Sequence, residues 1–182
     1  STRWFERGSE ATDVEAKIRF YTEAIRLKPD FAEAFNNRGA AREDKGDIEG
    51  ALADYTEAIR LTPDFAEAFL NRGNARQQKG DLDGAPTDYT EAIRLKPDYA
   101  GAWNNRGSAR ENKNDLDGAL QDYSAAIRLK PDAWGYLNRG LVRGQKGDLD
   151  GALADYTEAI RLEPDFAPAF YNRGIAREPK GD

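Results

Sequence analysis

An all-α solenoid, built by stacking one helix-turn-helix unit, is the fold class this sequence predicts, and three observations carry the prediction. Pro29, Pro63, Pro97, Pro131 and Pro164 stand 34, 34, 34 and 33 residues apart. Each closes a nearly identical string: YTEAIRLKPD at 21–30, YTEAIRLTPD at 55–64, YTEAIRLKPD at 89–98, YSAAIRLKPD at 123–132 and YTEAIRLEPD at 156–165. Within each period the apolar residues recur at helical spacing, with no strand-like alternation. Self-similarity at such a period marks a repeat array, in which each unit buries its apolar face against its neighbours.

The period divides into two helices. Helix A runs from about Ala32 to Lys45, with Ala32, Phe35 and Gly39 at helical spacing. In the K-G-D that follows, Gly46 suits a left-handed helix cap and Asp47 an N-cap for the next helix. Helix B runs from about Ile48 to Leu61, where Ile48, Leu52, Tyr55 and Ile59 make one stripe spaced 4, 3 and 4. Pro63 cannot continue helix B, so the chain turns into the next helix A. The units are a degenerate first repeat at 1–29, full repeats at 30–63, 64–97, 98–131 and 132–164, and a final half repeat, helix A only, at 165–182. That is about five and a half repeats, eleven helices, in one array over 1–182. In the first unit Arg7-Gly8 leads to helix B about three residues early, and Lys17 stands where other units have Ala. The 132–164 unit lacks one residue near Ala133. Pro86 falls inside a helix B and is expected to bend it or loosen its first turns.

Composition agrees and excludes much chemistry. Of 182 residues, 39% are hydrophobic and 33% charged, with mean hydropathy −0.83, the balance of a thin, well-hydrated core. There is no His and no Cys, hence no Ser-His-Asp or Cys-His triad, no imidazole or thiolate metal site and no disulfide. An enzyme is not expected, and no cofactor or metal is called for. The net charge of −6 argues against nucleic acid, which needs a basic face. No apolar run approaches the roughly 18 residues of a membrane span. A chain opening on Ser1 with no signal-peptide pattern reads as processed, excised or part of something longer, with the cytoplasm as the default location.

The packing residues resemble the tetratricopeptide repeat over nearly the whole chain. That pattern has an aromatic early in helix A, then Gly, and in helix B a small residue, an aromatic, an Ala and a closing Pro. Here these are Phe35, Gly39, Ala51, Tyr55, Ala58 and Pro63, recurring as Phe69, Gly73, Ala85, Tyr89, Ala92 and Pro97. They return as Trp103, Gly107, Ala119, Tyr123, Ala126 and Pro131, and as Tyr136, Gly140, Ala152, Tyr156, Ala159 and Pro164. The resemblance implies a right-handed α-solenoid whose A helices line a concave groove for an extended peptide or a partner's helix.

Where the family usually has Leu and Tyr in helix A, this chain repeats two Arg: Arg38 and Arg42, Arg72 and Arg76, Arg106 and Arg110, Arg139 and Arg143, Arg173 and Arg177. An Asp precedes the helix B Tyr at Asp54, Asp88, Asp122 and Asp155. We expect these Arg to reach the Asp between packed helices by charge-assisted hydrogen bonds. The alternative is an exposed Arg stripe for an anionic ligand.

The resemblance places Asn37, Asn71, Asn105, Asn138 and Asn172 in the groove. An amide both donates and accepts, so such a ladder can hold a peptide backbone without reading its sequence; the alternative is that these Asn cap or solvate helix A. Beside it runs a variable row, Asn36, Leu70, Asn104, Leu137 and Tyr171, and a second, Ala40, Asn74, Ser108, Leu141 and Ile175. A third is Glu43, Gln77, Glu111, Gly144 and Glu178. Trp134, Tyr136, Leu137 and Leu141 are either an apolar anchor site or core. Glu33 and Glu67 stand where a carboxylate clamp would need Lys, so basic or neutral segments are the expected partners. D-L-D-G at 81–84, 115–118 and 148–151 is read as helix N-capping, because the remaining ligands of a calcium loop are not correctly spaced. The expected function is a non-enzymatic protein-interaction scaffold. The alternative is a structural protein that self-assembles end to end into a filament through uncapped repeats.

Overall fold

The computed structural model describes residues 1–178; positions 179–182 of the predicted final half repeat lie outside the described residues. Eleven helices and no strand occur among the described residues. They fall into two compact units that divide after Pro97. In the first, α1 (Thr2–Glu10), α2 (Val14–Leu27), α3 (Ala32–Asp44), α4 (Ile48–Leu61), α5 (Ala66–Lys79) and α6 (Gly84–Leu95) follow one another as three A–B pairs. In the second, α7 (Ala100–Asn112), α8 (Leu116–Leu129), α9 (Ala133–Gln145) and α10 (Leu149–Leu162) form two pairs, followed by α11 (Ala167–Arg177). Each helix packs on the next within its unit.

The turns form as their residues dictate. Gly46, Gly80 and Gly147 take φ of 87°, 81° and 82° between helices A and B, and Asn114 takes 62° at the same place. Asp47, Asp115 and Asp148 cap their B helices, accepting from Gly50, Gly118 and Gly151 N–H at 3.0 Å, while Asp81 accepts from Gly84 N–H at 2.8 Å in the turn before α6, whose N-cap Asp83 makes no side-chain cap bond. Pro86 has the expected cost: α6 begins at Gly84, two residues later than the pattern of α4, and Leu82 is left exposed.

Helix A meets helix B through a Gly–Tyr contact. A Cβ on Gly39, Gly73, Gly107 or Gly140 would stand 2.6–2.9 Å from the ring of Tyr55, Tyr89, Tyr123 or Tyr156, so only Gly permits the approach. Gly8 meets Tyr21 in the same way, which explains why the first repeat keeps its Gly despite its shorter turn. Around these contacts lie fully buried alanines such as Ala34, Ala51, Ala58, Ala102 and Ala119. The core is thus a file of small residues and tyrosines, as the polar composition foretold. Surface pairs such as Lys79–Glu49 (2.6 Å) and Lys146–Asp117 (2.5 Å) tie neighbouring pairs together but contribute little each.

Candidate functional site

The repeated Arg point inward. Arg38 Nε and Nη2 donate to Asp54 at 2.9 and 2.7 Å, and Arg42 Nη1 donates to the same carboxylate at 2.9 Å. Asp88 is held identically by Arg72 and Arg76, and Asp155 by Arg139 and Arg143. Asp122 accepts from Arg106 at 2.8 and 2.7 Å and pairs with Arg110 at 2.9 Å. All four carboxylates are buried, and the first Arg of each pair also lies over the aromatic ring three residues before it, as Arg38 does over Phe35 at 5.4 Å. These Arg belong to the helix packing, and the anion-binding stripe is set aside. In the first repeat Phe20 replaces the Asp, and the Arg7 guanidinium rests over Trp4 and Phe20 at 5.2 and 5.8 Å.

The ladder asparagines are half-buried, and the amides of Asn71 and Asn138 already join neighbouring repeats. Asn71 Nδ2 donates to Asn36 Oδ1 at 3.0 Å, and Asn36 Nδ2 to Asn37 Oδ1 at 3.3 Å. In the second unit Asn138 Nδ2 donates to Asn104 Oδ1 at 3.4 Å, while Asn172 Nδ2 donates back to the Pro168 carbonyl at 2.8 Å. Asn105 is likewise half-buried. The variable row needs correction. Asn36 is 2% exposed, Leu70 8% and Leu137 3%, each covered by the packed helices and closed to a groove ligand, whereas Tyr171 is 69% exposed. Helical periodicity assigns these positions one face, but the next repeat's helix covers that face. Leu137 belongs to the core of the second unit, with Tyr136 and Leu141 partly buried against it. Only Trp134 of that quartet is exposed, edge-on to Phe166 at 4.8 Å.

The third row does something the sequence reading missed. Tyr55 Oη donates to Glu43 at 2.9 Å and Tyr123 to Glu111 at 3.0 Å, while Tyr89 shares its one proton between Gln77 Oε1 at 2.9 Å and Asn74 Oδ1 at 3.0 Å. Glu43 also accepts from Gln78 of the next repeat, and Glu111 from Gln145 at 3.0 Å. The constant spacing of Glu or Gln to Tyr was the available signal. Burial raises the pKa of Tyr55, Tyr89 and Tyr123 above the usual 10, with further rise from the carboxylates beside them. These phenols stay neutral in the fold while the unfolded chain ionises, so their contribution to stability is intact below pH 10 and lost as pH rises beyond it. Thermal melts between pH 9 and 11 are expected to show a steep decline that is shallower in the Tyr55→Phe, Tyr123→Phe double variant; equal slopes would exclude these groups as its source.

Of the cavities among the described residues, two open beside a ladder asparagine. In the first unit one of about 120 Å³ is bounded by Asn37, Ala40, Asp44 and Tyr21. In the second unit one of about 430 Å³ lies among α9, α10 and α11, bounded by Leu141, Gly144, Tyr156, Asn172 and Ile175. Among the described residues no helix is long and apolar enough to cross a membrane.

Known proteins fit this geometry. A TPR repeat family model matches residues 43–80 and 140–181, and a tetratricopeptide repeat model matches 70–133. Among solved structures the chain is similar to MamA protein, with a TM-score of 0.80 at 25% identity over 91% of this chain and 93% of that one. It is also similar to YrrB, described as a TPR protein with an unusual peptide-binding site, with a TM-score of 0.76 at 23% identity over 88% and 84%. A thermophilic TPR protein of Thermus thermophilus gives 0.71 at 20% over 96% and 97%. No curated protein sequence matches. The repeat models together span most of the sequence, and their packing residues are the Gly, Tyr, Ala and Pro whose contacts the structure displays, so the chain belongs to the tetratricopeptide repeat family.

Proposed function

We propose that this protein is a non-enzymatic scaffold that holds an extended peptide segment along its A helices. Family members of this kind are generally interaction scaffolds. The observation that carries the reading is the placement of the two cavities. Both open beside a ladder asparagine, Asn37 in one unit and Asn172 in the other, and both are walled by the variable row at Ala40 or at Leu141 and Ile175. Amides supply backbone hydrogen bonds and the variable positions select side chains. YrrB, which shares the fold, is described as carrying a peptide-binding site. Exposed Glu33 and Glu67 favour neutral or basic segments.

Panning a random peptide library against the immobilised chain tests the reading. Extended neutral or basic peptides are expected to be enriched. The Asn37→Ala, Asn105→Ala variant, with unchanged helicity by circular dichroism, is expected to bind them about tenfold more weakly, the loss of two hydrogen bonds. An empty selection, or equal affinity in the variant, would remove the ladder from the mechanism.

A second reading, self-association through α11, has one observation in its favour. Arg173 and Arg177 have no carboxylate partner among the described residues, and nothing described lies within 4 Å of a Cβ on Gly174. A second copy would have to offer that face an Asp-bearing helix B, yet Asp54, Asp88, Asp122 and Asp155 are all engaged by their own Arg pairs. Sedimentation velocity across a wide concentration range is expected to show monomer; concentration-dependent growth would favour this reading.

A further inference from the structure

The α9–α10 pair departs at one residue from the three full pairs that precede it. In the pairs α3–α4, α5–α6 and α7–α8, the helix B tyrosine is capped by Glu43, Gln77 or Glu111. At the same register α9 carries Gly144, and a Cβ placed there would lie 3.8 Å from the Tyr156 hydroxyl, in ordinary contact with room beyond. No described side chain caps Tyr156, whose upward pKa shift comes from burial and the neighbouring Asp155 alone. Gly144 and Tyr156 border the cavity of about 430 Å³, within the size range of small-ligand sites. Its walls are mostly apolar, from Leu141, Leu149, Ile175 and Ala176, and its polar groups are the Tyr156 hydroxyl, Asn172 and Glu178.

What enters must do what Glu43, Gln77 and Glu111 do: carry a hydrogen-bond acceptor to the phenol on an aliphatic stem. A carboxylate would bring like charge beside Glu178, in a chain of net charge −6. An ammonium could only donate, to the phenol oxygen or to Glu178, and would leave the Tyr156 proton without an acceptor. A primary carboxamide satisfies both ends, its carbonyl accepting from Tyr156 and its NH₂ donating to Glu178 or to Asn172 Oδ1. That oxygen is the end of Asn172 left over, since its Nδ2 is committed to the Pro168 carbonyl at 2.8 Å. Gln77 on Tyr89 at 2.9 Å is an internal example of an amide filling this role.

We propose that this cavity is a socket for a primary carboxamide on a short aliphatic stem, supplied by a glutamine side chain of the bound segment. It rests on the reading that the A-helix face holds a peptide, and adds to it a specific side-chain preference. The test is a heteronuclear NMR titration of the labelled full chain with hexanamide, and separately with hexanoate and hexylammonium. Hexanamide is expected to shift the Gly144, Ile175 and Ala176 amides saturably and to bind at least about fivefold more tightly than either ion. Tyr156→Phe is expected to weaken it by roughly fivefold, the loss of one hydrogen bond. Gly144→Glu, which refills the space as Glu43 and Glu111 do, is expected to abolish it. No saturable shift, equal binding of hexanoate, or undiminished binding by Gly144→Glu would each overturn the socket. Asn37 and Asn105 lie in other repeats, so peptide binding that depends on them without any hexanamide shift defeats the socket alone. Hexanamide binding with an empty peptide selection defeats the groove reading.

Discussion

Asp122→Asn is expected to destabilise the protein by about 3 kcal/mol, the scale found when one partner of a buried ion pair is removed. The size follows from what the carboxylate holds. Asp122 is buried and accepts from Arg106 at 2.8 and 2.7 Å and from Arg110 at 2.9 Å. Asparagine keeps the shape but supplies one acceptor oxygen and an NH₂ that faces guanidinium donors. Arg106 then loses its carboxylate, and Arg110 keeps only Asp115, 3.7 Å away. For a chain of this length the melting temperature should fall by roughly 10 °C. Because an array is stabilised by nearest-neighbour terms, the loss should be local, and hydrogen exchange should quicken first in α7 and α8. A melting temperature within 2 °C of the parent, an illustrative threshold of roughly 1 kcal/mol, would mean that the Arg–Asp contacts only replace what apolar packing could supply.

Gly73→Ala is expected to cost about 3 kcal/mol, the upper end of the overpacking range. The new Cβ would stand 2.6 Å from the Tyr89 ring, and that ring is buried and tethered through its hydroxyl to Gln77 and Asn74. Neither helix can retreat without lengthening the Arg72–Asp88 bonds of 2.9 and 2.7 Å. Gly174→Ala is the internal control. It changes the same register in α11, where nothing described lies within 4 Å, and it should stabilise by about 0.5–1 kcal/mol through helix propensity. Thermal melts of the two variants check the pair; a shift of the same sign in both would show that the Gly–Tyr approach does not set the repeat geometry.

The Arg–Asp contacts show how far sequence alone reached at this site. Arg38, Arg42 and Asp54 recur together in period, and the burial cost of an unpaired Asp suggested that they meet. Helix starts at Asp47 and Asp115 and stops at Gly46 and Gly80 were equally legible, because capping is local chemistry. The variable row was not. Asn36, Leu70 and Leu137 share a face with the ladder in helical projection, and only the helix arriving from the next repeat decides that they are buried.

The sequence by itself determined the repeat, the helix pairs and their turns, because each rests on periodic residues acting over one or two turns of chain, and the joint recurrence of Arg and Asp pointed to their pairing between helices. Tertiary structure alone decided which amides are spent between repeats and which tyrosines are capped. It also decided that a cavity opens beside Gly144, where the preceding repeats carry Glu or Gln. The amide bonds between repeats join residues more than thirty apart in sequence, and the tyrosine caps depend on how closely two packed helices approach, a distance that periodicity does not encode.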